Sequence, residues 1–375
     1  MDYRSEFPQF TSGVYLDMAH QGPFPRTTVA RLQQAIELKC HPERLEAPEY
    51  FDLPNRVRAR IARLVGADTS EIALTNSATQ GIGAIATGLG LKPGDEVVIA
   101  NSNFPSNLFT WLHLRRLGIC AKVLKPAGGE VAPESLDAAL SARTRVVALD
   151  WVNYSTGYRI DLSAFGERAH NAGAIFVVDG TQGAGALELN LHALPVDALA
   201  VATYKWFLGP YGTGFVFLSH ALQGRLDVPV VNWSAVEGAE NFDALPTDQF
   251  TLAKGARVFD VPETANFLNM SALEASLEFL ERATVHAVTE HCRLLLDLLA
   301  EELRRKGYTL SGAAHPEHAS TILGFQAPSL EATQRVYEKL RAHQIAVSLR
   351  HGMIRVSPYL FNSEVDIHRL VAVVG

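Results

Sequence analysis

Ala174-Ile175-Phe176-Val177-Val178-Asp179-Gly180-Thr181-Gln182 is a continuous apolar run that ends on a carboxylate. A run of that length without polar alternation reads as a strand buried on both faces, the kind that parallel sheets use. Asp179 then falls at the carboxyl end of the strand, where open α/β sheets place their ligands. Short β-rich runs alternate with helical ones around it: Glu71-Ile72-Ala73-Leu74-Thr75, Glu96-Val97-Val98-Ile99-Ala100 and Arg145-Val146-Val147-Ala148-Leu149. That alternation predicts a doubly wound, mostly parallel sheet. Gly212-Thr213-Gly214-Phe215-Val216-Phe217-Leu218 reads as a strand turning back, an antiparallel member of the same sheet.

Beyond Pro262 the pattern changes. Residues 265–306 hold a long helical pattern, with Leu273, Leu277 and Leu280 at helical spacing and a break near the middle. A strand over 320–325, a helix over 331–343, two strands around His351-Gly352 and a last helix follow. Ser363 and Asp366 stand at capping-box spacing at the start of that helix. These elements predict a smaller α+β domain over 261–375, after a large domain over 31–260.

The 375-residue chain is 47% hydrophobic, enough to bury a large core and long enough for two domains. A net charge of −7 without runs of like charge argues against a nucleic-acid or anionic-membrane partner and favours small molecules. Cys40, Cys120 and Cys292 make an odd total with no CxxC pair, so reduced thiols and no metal site are expected. The start, Met1-Asp2-Tyr3-Arg4-Ser5-Glu6, carries no basic region leading into an apolar stretch, and a cytoplasmic protein is expected.

One strand-loop-strand interval after Asp179 comes Ala202-Thr203-Tyr204-Lys205-Trp206-Phe207-Leu208-Gly209-Pro210. A lone lysine beside aromatics also reads as a surface snorkeller, and a lone Asp after a strand as a helix cap. The ordered pair says more. A partly desolvated lysine can form a Schiff base with an aldehyde, and a carboxylate at a strand end can hold a pyridinium nitrogen protonated. Together they point to pyridoxal 5'-phosphate, with Gln182 placed to donate to its ring oxygen. Asn76-Ser77-Ala78-Thr79 follows a strand and opens a helix, where free backbone N–H groups favour a phosphate; ordinary capping gives the same pattern. Arg355 lies in a predicted strand, and its fork matches a carboxylate bidentately, either a substrate's or a structural partner's.

With these motifs the chain resembles the fold-type I pyridoxal enzymes of the class V aminotransferase family, which includes cysteine desulfurases, kynureninases and isopenicillin N epimerase. The resemblance runs from Val14-Tyr15-Leu16-Asp17 to Arg355-Val356-Ser357-Pro358-Tyr359-Leu360-Phe361-Asn362. It implies a homodimer acting on an amino acid by transamination, lysis or epimerisation. Residues 1–30 would join the small domain. Ala78 and Thr79 would hold the phosphate, Tyr204 would add its hydroxyl, and Phe104 in Asn103-Phe104-Pro105-Ser106-Asn107 would stack on the ring. Either Asn153 or Tyr154 would contact the ring oxygen. Arg355 would hold the substrate carboxylate, and His20 and Gln21 would face the substrate. Thr264 would reach the phosphate of a second subunit, although Glu263 replaces the glycine that relatives carry before it. Relatives that form a persulfide carry a cysteine shortly before the arginine; Leu349-Arg350-His351-Gly352-Met353-Ile354 has none, which disfavours a thiol-dependent desulfurase. Two other classes compete. A nicotinamide oxidoreductase needs G-x-G-x-x-G, which the glycines at 81, 83, 183 and 185 do not complete. A silent scaffold would not need Lys205, Asp179, Gln182 and Arg355 together.

Overall fold

The computed structural model describes residues 3–8, 10 and 13–375. Met1, Asp2, Gln9, Thr11 and Ser12, all in the expected N-terminal segment, lie outside the described residues. The strands in chain order are β1 (Val14–Tyr15), β2 (Ile72–Thr75), β3 (Glu96–Ala100), β4 (Cys120–Leu124), β5 (Thr144–Asp150), β6 (Ile175–Asp179), β7 (Ala198–Ala202) and β8 (Gly214–Leu218). They continue with β9 (Thr309–Leu310), β10 (Leu323–Gln326), β11 (Ile345–Ala346), β12 (Ser348–Arg350) and β13 (Met353–Val356). Seven of them form one sheet in the order β2-β8-β7-β6-β5-β3-β4. Only β8 runs against its neighbours in that sheet. The α/β class and the mostly parallel sheet expected from the sequence are both present.

The apolar run from Ala174 to Val178 explains why the sheet is covered on both sides. Phe176 and Val178 point into one core, with Leu199, Phe215, Leu273 and Leu277. Ile175 and Val177 point into the other, with Val216, Ile82, Ile85 and Trp111. Successive strand residues face opposite ways, so a strand without polar alternation needs a layer on each face. The helical pattern after Pro262 breaks where expected: helices Phe267–Ala283 and Val285–Arg305 meet at Thr284, which takes φ 69° and whose side chain accepts from the Ala287 N–H.

The C-terminal sheet has the order β12-β13-β10-β9 and is antiparallel throughout. Phe325, Ile354 and Val356 pack there with Leu296 and Leu299 of the long helix and Ile367 and Leu370 of the last one. Both halves of the Ser363/Asp366 capping box are formed. β1 pairs in parallel with β11, so Val14 and Leu16 enter this same core. The N-terminal segment then crosses back over the lysine loop: the Gly22 N–H donates to Tyr204 O at 3.0 Å. A Cβ on Gly22 would lie 2.3 Å from Lys205 O, so the crossing requires glycine.

Candidate active site

Asp179 ends β6 with 4% of its surface exposed, and the Thr181 N–H donates to its Oδ1 at 2.9 Å, which fixes the carboxylate over the strand end. Its register partner on β5 is Asp150. Asp150 accepts from the Phe104 N–H at 2.6 Å and from Asn107 Nδ2 at 3.0 Å. Burial pushes both carboxyls up, and the charge of Asp179 pushes Asp150 further; the Thr181 hydrogen bonds and the charge of Lys205 act in the opposite sense on Asp179.

Lys205 lies in the turn between β7 and β8 and is 5% exposed. Desolvation first, and the positive charge of Arg355 second, bring its ammonium down to about 8, against the pull of Asp179 and Asp150. Its Nζ stands 5.2 Å from the Phe104 ring centre and 5.5 Å from that of Tyr204. Phe104 is held from behind by its N–H bond to Asp150, and Tyr204 stacks on Tyr211 at 4.2 Å. Across the cavity the helix Ala78–Gly88 begins, capped by Ser77, whose hydroxyl accepts from the Gln80 N–H. The first N–H groups of a helix have no partner within it, so Ala78 and Thr79 present donors at its positive end. Thr79 Oγ1 also shares a hydrogen bond with Ser106 Oγ at 2.7 Å. One cavity of about 100 Å³ is lined by Ala78, Thr79, Phe104, Asp150, Tyr154, Asp179, Gln182, Tyr204 and Lys205, among others.

Gln182 lines the cavity and is also bonded to protein at both ends of its amide. Its Nε2 donates to Ala19 O at 2.9 Å and its Oε1 accepts from Trp206 Nε1 at 3.0 Å. The amide thus ties the N-terminal segment to the lysine loop and keeps one N–H for the cavity. Of the pair left open by the sequence, Tyr154 lines the cavity. Asn153 instead closes its own turn, its Oδ1 accepting from Ser155 and Thr156 and its Nδ2 donating to Ser102 O. Tyr154 packs edge-on against Phe104 and its hydroxyl meets His351 Nε2 at 2.6 Å. Beyond Tyr154 opens a neighbouring cavity of about 450 Å³ with Glu130, Ser311, Gln326 and His351 on its walls.

Arg355 is 2% exposed and donates to Asp17 Oδ1 at 2.9 Å, to Ser348 Oγ and to Tyr154 O. Its Nε is buried and has no hydrogen-bond partner among the described residues. A buried donor left open in this way costs free energy unless a ligand accepts from it. Thr264 and His20 stand apart from the lysine cavity. The Thr264 hydroxyl donates to Val261 O at 2.7 Å, and His20 is exposed. Glu263, however, adopts φ 57°, the left-handed conformation that a glycine would take there.

Asp150, Ser106 and the Asp17 partner of Arg355 escaped the sequence reading. Asp150 was within reach of it: the run Arg145 to Leu149 is followed by a carboxylate, as the run before Asp179 is.

A doubly wound sheet that buries a lysine between two strand-end carboxylates and a helix N-terminus defines a class of α/β protein built for small-molecule chemistry at its strand ends. Within that class the chain belongs to the aminotransferase class-V family, whose model matches residues 14–370. It is 26% identical to a probable cysteine desulfurase of Methanothermobacter thermautotrophicus, over 98% of this chain and 96% of the relative. It is 30% identical to the kynureninase of Deinococcus radiodurans, over 85% of this chain and 79% of the relative. The solved structure of a C-DES variant with glycine covalently linked to its PLP cofactor superposes with a TM-score of 0.88 at 21% identity, covering 98% of each chain. The family and fold expected from the sequence are borne out.

Proposed function

We propose that this chain is a pyridoxal 5'-phosphate enzyme acting on an α-amino acid, with turnover that uses no protein thiol. The carrying observation is Lys205, buried and with its ammonium brought down to about 8, in one cavity with Asp179 and the start of the helix at Ala78. The donor set fits the cofactor: an amine that is neutral in part near pH 7–8, a buried carboxylate for a ring nitrogen, and helix N–H groups with the Thr79 and Ser106 hydroxyls for a phosphate. When bound, the cofactor supplies an electron sink for charge developing at the substrate α-carbon.

The chain's own residues do the rest. Asp179, buried beside Lys205, would supply the counter-charge for a protonated ring nitrogen. Phe104 and Tyr204 exclude water from the neighbourhood of Lys205 Nζ. Near neutral pH that nitrogen both takes and returns a proton, as a general base should. Arg355 offers its open Nε–H to a substrate carboxylate. The cavity beyond Tyr154 gives room for a substrate side chain, and the Tyr154–His351 hydrogen bond stands between the two spaces. Thr264, with the glycine-like turn at Glu263 before it, serves a second copy across a homodimer interface. Val230, Val231, Phe242 and Phe250, all exposed in the segment 228–250, supply apolar surface for that contact.

A thiol-dependent desulfurase is the second reading, favoured by the several cysteine desulfurases among the relatives. Geometry opposes it. The hairpin between β12 and β13 turns on His351 and Gly352 alone, Cys292 is buried with its Sγ donating to Pro358 O, and Cys120 begins β4 at the sheet end away from Lys205. Incubating the purified protein with a panel of amino acids, while following cofactor absorbance and assaying keto acid, ammonia and sulfide, tests the proposal. A spectral change and turnover with at least one amino acid are expected. Silence across the panel in a cofactor-loaded protein contradicts an enzyme of this kind.

A further inference from the structure

Four candidate metal ligands from three separate segments meet at the amino ends of the parallel strands, the end of the sheet opposite to Lys205. Asp68 precedes and Glu71 ends the turn Thr69–Glu71 before β2, His192 lies in the turn Leu191–Ala193 before β7, and His220 begins the helix after β8. His192 Nε2 lies 2.8 Å from Glu71 Oε2 and 4.0 Å from Asp68 Oδ2. His220 Nε2 lies 3.6 Å from Asp68 Oδ2 and 3.9 Å from Glu71 Oε1. Around an ion that holds nitrogen and oxygen ligands at about 2.0–2.2 Å in a tetrahedron, neighbouring donors stand roughly 3.3–3.6 Å apart. Asp68, Glu71 and His192 each offer a donor atom within 4.8 Å of the other two, and His220 reaches the cluster at Asp68 Oδ2, at a separation inside that range, and at the second Glu71 oxygen, Oε1.

The ligands are also held. Asp68 and Glu71 form a reciprocal capping box, with the Asp68 N–H donating to Glu71 Oε2 at 3.0 Å. The His192 N–H donates to Gly66 O at 3.1 Å, which fixes the second segment against the first. The Glu71 side chain is 5% exposed whereas His192 and His220 are 49% and 58% exposed, so a buried carboxylate anchors a site that stays open to solvent. Two imidazoles with two carboxylates suit zinc; magnesium and calcium prefer an all-oxygen shell.

We propose that Asp68, Glu71, His192 and His220 form a zinc site that staples the three segments together at the far end of the sheet. It is independent of the chemistry at Lys205. The test uses the full-length, cofactor-loaded protein, stripped with EDTA, desalted and titrated with Zn²⁺ or with Mg²⁺ by calorimetry and thermal melting. The expected result is one saturable Zn²⁺ per chain with a Kd below about 10 µM and no comparable response to Mg²⁺. At a hundredfold excess over Kd, Tm rises by about 2 °C or more. His192→Gln/His220→Gln keeps a hydrogen-bonding side chain beside Glu71 and abolishes the saturable binding, while cofactor absorbance and the metal-free melting curve stay as they were. Asp68→Asn serves if the double variant is not folded, and lowers affinity at least tenfold. Equal Zn²⁺ binding by wild type and variants, or none by the wild type, overturns the site and leaves a histidine–carboxylate cluster in its place.

Discussion

Arg355 and Asp17, 338 positions apart in the chain, form an ion pair of 2.9 Å between two almost fully buried side chains. Asp17 therefore orients the guanidinium, and Ser348 and Tyr154 O take further N–H groups, so that only part of the fork is left for a ligand. In the proposed function that remainder grips the substrate carboxylate. Arg355→Lys removes the planar fork and keeps the charge. KM for a carboxylate-bearing substrate rises about ten- to a hundredfold, the range of one charge-assisted hydrogen bond, with a smaller change in kcat. An unchanged KM would assign Arg355 to the Asp17 pair alone.

Lys205 carries the pH dependence. Its folded pKa, lowered to about 8 by desolvation and by Arg355, means that the neutral amine makes up about a tenth of the population at pH 7, against far less than a hundredth for an ordinary lysine. Only the neutral form attacks an aldehyde. Capture of added pyridoxal phosphate by the apoprotein should accelerate with rising pH and level off above about pH 8. Stopped-flow absorbance measures this, and a rate still climbing through pH 10 contradicts the lowered value.

Asp179→Asn keeps the shape of the carboxylate and loses its charge. Proton removal at the substrate α-carbon slows by about a hundredfold or more, whereas cofactor retention weakens little, because the lysine and helix anchors remain. Isotope exchange at the α-position reads the first and gel filtration with absorbance the second. If exchange is unaffected, Asp179 is a turn cap held by Thr181 and nothing else.

Asp150 acts through Phe104. Asp150→Ala removes both bonds that seat the loop from Phe104 to Asn107 and should weaken cofactor affinity about tenfold. Asp150→Asn, which can still accept from the Phe104 N–H, should fall between the two. Fluorescence titration of the apoproteins with pyridoxal phosphate gives the order, and wild-type affinity in Asp150→Ala would remove Asp150 from the site.

How far the sequence carried the reading depends on the reach of each interaction. β6 was legible because a strand covered on both faces must be apolar throughout, and Lys205 because it follows β6 within one topological step. β4 was not, since at the sheet edge Cys120 is exposed and Lys122 only half-buried, which breaks the apolar run. β1, β9 and β11 are two residues each, too short for any periodicity. The Arg355–Asp17 pair and the commitment of Gln182 to Ala19 and Trp206 are long-range contacts that no local pattern encodes. Asp150 was lost by ending a strand one residue early, although its position mirrors that of Asp179.

The thiol question has its own test. Cys40→Ser/Cys120→Ser/Cys292→Ala removes every sulfhydryl, with alanine at the buried position where burial already pushes the thiol up and keeps it inert. Activity should stay within a few-fold of wild type. A folded, cofactor-loaded triple variant with no activity would restore the desulfurase reading.

The central claim is that Lys205 is the residue that carries the cofactor. Reducing the pyridoxal-phosphate-loaded protein with borohydride and mapping its peptides by mass spectrometry tests it directly. One phosphopyridoxyl adduct per chain is expected, on the peptide containing Tyr204-Lys205-Trp206, and it disappears in a folded Lys205→Ala protein. An adduct on another lysine, or one that survives the substitution, contradicts it.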